Sequence, residues 1–394
     1  MQKSDRKIFG TLFFSIFTAV TGVGIVVPLL PVYAHDLGAS GLYIGLIFGA
    51  FSLSRTLFLP YFGRLSDKKG RKILIVAGLL SYALVSGAFL FSTSINTLIL
   101  IRFIQGIASA MIMPVCQAYV GDITPSGKEG FVMGMFNMSM FFGLSIGPVI
   151  GGFVKDYYSL DTAFVCMGLL SLTAFLTSLF FLPPVTAEKN SGSRKTPKEW
   201  KHIIGDRNIA GLFLFRFAYT ASIGIIWSFL PVMANQEFSL SSFSTGILVT
   251  IGVLISGILH TPMGIVADKF NKRTLVATGG LVIVFSMLFY GQAESFNDLL
   301  FSSILFGVGG GFSMPALMAL AVYKGKETDA MGSVMALITT AHSLGMLIGS
   351  LAAGLIMDMF RLREAFNSGA GIMIAGIILF LFLTRVSNNN QKQC

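Results

Sequence analysis

A chain of 394 residues that is 54% hydrophobic and only 12% charged carries about half the charge a soluble surface needs, which excludes an ordinary soluble enzyme. Its net charge of +10 would suit nucleic acid in a soluble protein, but here the distribution of the charge matters more than its sum. Three cysteines, Cys116, Cys166 and Cys394, offer neither a disulfide framework nor metal-ligand spacing and are expected as free thiols.

Apolar runs of about twenty residues recur along the chain, each long enough to cross roughly 30 Å of hydrocarbon as a helix. The pattern predicts spans over 8–34, 41–62, 73–92, 95–121, 130–154, 162–183, 209–234, 241–264, 273–292, 297–323, 330–357 and 364–385. The first is too long for a signal-peptide core and lacks a small-residue cleavage site leading into a soluble domain, so it is read as retained. With the N-terminus in the cytoplasm, 22 of the 28 Lys and Arg fall inside, while only Lys155, Arg361 and Arg363 fall outside. The other three, Arg55, Arg102 and Arg216, lie within spans. That asymmetry predicts cytoplasmic N- and C-termini, and it accounts for the basic excess without nucleic acid.

The only long polar segment, 184–207, separates a six-helix bundle at 1–183 from a second at 208–394. The two align. Pro31 matches Pro231 at an offset of 200; Gly63, Asp67, Gly106 and Pro114 match Gly264, Asp268, Gly307 and Pro315 at 201; Gly143, Gly147, Gly152 and Asp156 match Gly345, Gly349, Gly354 and Asp358 at 202. Glycine matches are cheap among 44 glycines, but two proline matches from only 12 prolines in a nearly constant register indicate duplication. The expected fold is an all-α membrane protein with twelve transmembrane helices in two pseudo-symmetric bundles, a known route to alternating access.

After the second span the chain reads GRLSDKKGRK, with Gly63, Asp67, Gly70 and Arg71, and the second half repeats it weakly as GIVADKFNKR from Gly264 through Asp268, with Asn271 replacing the second glycine. Gly63 is expected where two helices come close, Asp67 where it can face a helix N-terminus, and Arg71 where it can pair with Asp122. Such contacts would latch one state of a two-state machine; a merely solvated basic turn would explain the lysines but not Gly63 and Asp67. The fifth span carries Gly143, Gly147, Pro148, Gly151 and Gly152, a bare stripe with a proline that can bend the helix. The fourth carries RFIQGIASA from Arg102 to Ala110, and the first carries PLLP from Pro28 to Pro31.

These motifs resemble the signatures of the major facilitator superfamily, the basic loop at almost every position and the others as in its twelve-helix drug:proton antiporter group. The resemblance implies the major facilitator fold, export by proton antiport, and a role for Arg102 in proton coupling.

Ionisable groups inside a bilayer are costly and tend to mark function. Within the spans they are Arg55, Arg102, Arg216, His260 and His342, and all 18 acids fall in loops or at helix ends, Asp36 and Asp122 nearest to membrane depth. Members of the resembled group often carry an acid within a span, and this chain has none. A driving proton would then sit on Asp36 or His342, the latter midway along the eleventh span; Arg55 and Arg216 are shallow enough to snorkel. An adaptable cavity lining is expected from Arg55, Gln117, Asn137, Met138, Phe141, Arg216, Tyr219, Trp227, Met314, Met318 and Thr339.

The sequence thus reads as a monomeric multi-pass transporter of a bacterial inner membrane, in contact with membrane lipid. It moves protons and a small lipophilic or amphiphilic substrate, drug, lipid or metabolite, with neutral or anionic cargo favoured. The alternatives are an uncoupled or importing facilitator or lipid flippase on the same scaffold, and a non-transporting sensor or scaffold. No cofactor or metal is implied, and no nucleophile-base pair or phosphate loop suggests an enzyme.

Overall fold

The computed structural model describes residues 3–125, 129–183, 205–328 and 330–384; most of the linker predicted at 184–207, together with Cys394, lies outside them. Twelve helices follow in order: α1 Lys3–Asp36, α2 Gly41–Lys69, α3 Arg71–Phe89, α4 Ile95–Asp122, α5 Glu129–Tyr157, α6 Leu160–Phe181, α7 Arg207–Gln236, α8 Ser242–Lys269, α9 Lys272–Gln292, α10 Phe296–Glu327, α11 Met331–Met359 and α12 Leu362–Leu383. Each is long and apolar enough to cross a membrane.

Most of them outrun their predicted spans. The 32 residues of α10 extend about 48 Å at 1.5 Å per residue, because a helix leaving hydrocarbon can continue its internal hydrogen bonds until a cap ends it. Caps are supplied locally. Ser94 opens α4 in a reciprocal capping box with Thr97, Ser159 opens α6 by accepting from Thr162 N–H, and Ser295 opens α10 by accepting from Asp298 N–H, satisfying amides that have no helical partner.

Internal packing divides the chain into two compact units, residues 1–190 with 230–254, and residues 191–229 with 255–394. In the first, α1 packs on α5 and α6, and α4 on α2 and α3. Its core joins Leu12, Ile16, Ile75, Leu79, Ile112, Tyr119 and Phe136. The helix pairings α3–α4, α3–α6, α4–α5 and α5–α6 recur as α9–α10, α9–α12, α10–α11 and α11–α12.

The duplication extends to single atoms. A Cβ on Gly143 would meet Phe17 O at 2.9 Å and Thr21 N at 3.0 Å; one on Gly345 would meet Phe217 O at 2.4 Å and Ala221 N at 3.1 Å. Gly147 likewise abuts Thr21 O, and Gly349 abuts Ala221 O. In each unit a glycine stripe lets one backbone lie against another, with partners 200 residues apart in sequence.

Candidate functional site

The loop between α2 and α3 turns on Gly70, whose φ of 92° and ψ of 151° belong to a backbone region that side chains strongly disfavour. The next residue, Arg71, donates from Nε to Asp122 Oδ2 at 3.1 Å and from Nη1 to Ser66 Oγ at 2.6 Å. Ser66 in turn donates to Gly63 O at 2.7 Å. The pair therefore joins the start of α3 to the last residue of α4. Asp67 lies on α2, and its side chain is outside the described residues.

The close helix approach expected at Gly63 is not there: a Cβ would meet nothing within 4 Å, and the same holds at Gly264. The approach of α4 to α2 comes at Gly106, where a Cβ would stand 2.0 Å from Ser54 Oγ and 2.3 Å from Phe51 O. At Gly63 α2 has passed the level at which α4 presses on it.

The second basic loop uses different chemistry at matching positions. Asn271, replacing the glycine, caps α9 by accepting from Arg273 and Thr274 N–H. In the 201 register of this loop Arg71 matches Lys272 and Asp122 matches Tyr323, so the ion pair has no counterpart there. Arg273 donates instead to Leu381 O, and Lys324 turns to Glu327 at 2.9 Å and Asp206 at 3.6 Å. Asp206 also accepts from Asn208 and Ile209 N–H at the start of α7. Asp268 is exposed. The loss of the pair is readable from that register, which places a tyrosine where the first half has its acid.

Arg102 is buried between α4 and α2. It donates to Gln105 Oε1 at 2.7 Å and Ile47 O at 3.4 Å, and its guanidinium lies 5.0 and 4.7 Å from the ring centres of Phe48 and Phe51, a favourable cation–π setting. Tyr82 of α3, hydrogen bonded to Ser109, neighbours both Arg102 and Arg55. Arg55 Nε and Gln105 Nε2 are buried without hydrogen-bond partners. Neither Tyr82 nor the two phenylalanines was picked out from the sequence, where aromatic residues on apolar spans carry no distinguishing mark.

In the second unit Arg216 of α7 donates from Nη1 to Met314 Sδ at 2.7 Å and meets His342 Nδ1 at 3.1 Å through Nη2. It also lies 5.7 Å from the ring centre of Tyr219. Tyr219 stacks on Phe306 at 5.8 Å, is hydrogen bonded to Ser256, and comes so near Gly310 that a Cβ there would meet its hydroxyl at 2.6 Å. The Nδ1 of His260 donates to Ser256 O at 2.9 Å, and its imidazole lies within electrostatic range of Arg216. Arg216, Tyr219, Met314 and His342, singled out separately in the sequence, thus form one cluster; Phe306, Ser256 and Gly310 join it.

On α5, Gly143, Gly147 and Gly151 press on α1, whereas Gly152 and Pro148 lie against residues 242–246. Asp156, which the sequence marked only as a repeat position, accepts from the backbone N–H of Ser242 and Phe243 at 3.1 and 2.7 Å and so caps α8 from α5. Asp36 lines a small cleft with Tyr33, Lys155 and Asn235. Gln117 donates to Asn137 at 3.5 Å; Phe141, Trp227 and Met318 are half-buried, and Met138 and Thr339 are exposed.

Comparison with known proteins adds to this geometry. The profile of the Major Facilitator Superfamily matches residues 12–223 and 212–393. An uncharacterised MFS-type transporter of Methanocaldococcus jannaschii is 29% identical over 98% of this chain and 100% of its own. The quinolone resistance protein NorA of Staphylococcus aureus is 27% identical over 96% of each chain. Among solved structures, a bacterial homologue of the human lysosomal transporter Spinster superposes with a TM-score of 0.82 at 12% identity, covering 98% of both chains.

Proposed function

This chain belongs to the Major Facilitator Superfamily of membrane transporters, and on that premise we propose that it couples protons to the export of a lipophilic or amphiphilic small molecule, neutral or anionic. The observation that carries the cargo class is that Arg102 and Arg216 lie within spans and among neutral partners, while the acids sit in loops or at helix ends. A charge of one sign kept within a span favours the opposite sign in what it binds, or none. Export is supported by likeness to NorA, a protein named for quinolone resistance, and by the glycine stripe of α5.

The two halves, 1–183 and 208–394, work by alternating access, with 184–207 as their cytoplasmic linker. Arg71 and Asp122 latch one state together with Asp67 and Gly70 of the first basic loop. Arg102, Asp36 and His342 carry proton coupling, and the lining comes from the polar and thioether groups around Arg55, Asn137, Arg216 and Met314. The protein works as a monomer in the inner membrane, with both termini cytoplasmic, as the bias of basic residues favours.

Reconstituted liposomes with a trapped pH-sensitive dye and a fluorescent amphiphile test this reading. A pH gradient is expected to drive cargo uphill, with proton movement that depends on cargo and is lost in Arg102→Ala. Cargo that equilibrates without moving protons would indicate an uncoupled facilitator or flippase, and binding without flux a sensor.

A further inference from the structure

We propose that Arg55 anchors an oxyanion site inside the first unit, completed by Arg102 and Gln105, which takes the carboxylate, phosphate or sulfonate head of an amphiphile. The site deepens the transporter reading, on which it rests for its physiological use, and stands on geometry for its chemistry.

Three helices converge there. Arg55 follows Phe51 of α2 by one turn, and the Phe51 ring lies 4.7 Å from the Arg102 guanidinium of α4. Ser54, the residue before Arg55, packs against Gly106, the residue after Gln105. From α3, Tyr82 lies within electrostatic range of both arginines. Two guanidiniums and an amide therefore share one stretch of the seam between α2, α3 and α4, about a helical turn apart.

The hydrogen-bonding capacity left over in that stretch is all of one kind. A guanidinium has only donors, so the Gln105 atom 2.7 Å from Arg102 Nη1 is the carbonyl oxygen, and the amide nitrogen is turned away from it. Gln105 is 0% exposed, and its Nε2 has no partner; neither has the buried Nε of Arg55. The hydroxyls of Tyr82 and Ser109 bond to each other and leave both donors unanswered.

No acid supplies the missing acceptor. Among the described residues no carboxylate lies within ion-pair distance of Arg55 or Arg102. Helix α3 carries no acid; the acid of α2 is Asp67, about 18 Å of helix beyond Arg55, and that of α4 is Asp122, bound to Arg71. Buried donors without acceptors are costly to keep, and a charge within a bilayer more so. Arg55 is half-buried, so a ligand can reach its side chain while Nε stays enclosed. A neutral carbonyl would answer one donor and leave the charge unmet. An oxyanion brings several acceptors and the opposite charge, and satisfies Arg55 and Gln105 together.

Decyl sulfonate serves as the probe, with full-length protein in phosphatidylcholine nanodiscs at neutral pH and empty discs as blank. Arg55→Gln, which removes the charge, is expected to weaken binding by about ten- to hundredfold, and Arg55→Lys, which keeps the charge but loses the planar fork, by less. Gln105→Glu supplies the negative charge from within the protein. Its carboxylate still accepts from Arg102, so the melting temperature should hold or rise while sulfonate affinity falls by about tenfold or more. That variant keeps the test decisive if Arg55→Gln fails to fold.

Sulfonate affinity unchanged in Arg55→Gln or in Gln105→Glu, or equal binding of decyltrimethylammonium, would overturn the proposal. Displacement of the sulfonate by added phosphatidylglycerol would support the site with a membrane lipid as its occupant, and sulfonate binding that phosphatidylglycerol leaves intact would support it with a free amphiphile. Sulfonate binding as described without flux of any amphiphile would sink the transport reading and leave the site standing. Flux with binding indifferent to Arg55 would do the reverse.

Discussion

Glycines with the same letter in a signature do different physical work, and substitution separates them. Gly70 sits at φ 92°, so Gly70→Ala is expected to cost about 1–3 kcal/mol and to lower the melting temperature in detergent. Gly63 is helical with open space around it, so Gly63→Ala should be neutral or raise stability by up to about 1 kcal/mol, the ordinary helix preference. A melt that falls as far for Gly63→Ala as for Gly70→Ala would show a neighbour at Gly63 in the folded state. The Arg71–Asp122 pair is tested by a cycle. Its side chains are 11% and 40% exposed, so the coupling should be modest, on the order of 1 kcal/mol. Arg71→Gln and Asp122→Asn should each destabilise, and the double variant by less than their sum. Strict additivity would mean that the two residues stabilise the loop independently.

Helices and their duplication were legible because composition alone marks about twenty consecutive apolar residues, and because two proline matches fix a register. Which helix meets which was not legible, since a glycine records that something comes close without naming it. Gly106 and Gly63 look alike in sequence, yet only Gly106 has a backbone carbonyl within 2.3 Å of where its Cβ would be. Likewise Asn271 reads as a lost glycine until its side chain is seen capping α9. The seams of α5 on α1 and of α11 on α7 supply a test of the duplication as a packing device. An alanine Cβ at Gly147 would meet Thr21 O at 2.5 Å, and one at Gly349 would meet Ala221 O at 2.3 Å. Backbone atoms yield poorly, so each Gly→Ala should destabilise by roughly 1–3 kcal/mol. Because the two seams share no partner, the double variant should lose the sum to within about 0.5 kcal/mol, as read by chemical or thermal unfolding. A single variant with no effect would mean that its seam is looser than the structure draws it.

Orientation belongs to the chain as a whole, because no single lysine sets it. The loops after α2, α8 and α10 are basic, with Lys68, Lys69, Lys72, Lys269, Lys272, Lys324 and Lys326, whereas residues 90–94 and 158–159 at the opposite ends carry no charge. Basic residues near span ends are retained on the cytoplasmic side during insertion, so the bias and the alternating loops must agree on one orientation. In a background with Cys116, Cys166 and Cys394 changed to Ser, Tyr158→Cys should react with an impermeant maleimide in intact cells, and Lys69→Cys only after permeabilisation. Both positions are exposed, so neither result would be confused with burial. Labelling in the reverse sense would invert the protein and turn export into uptake.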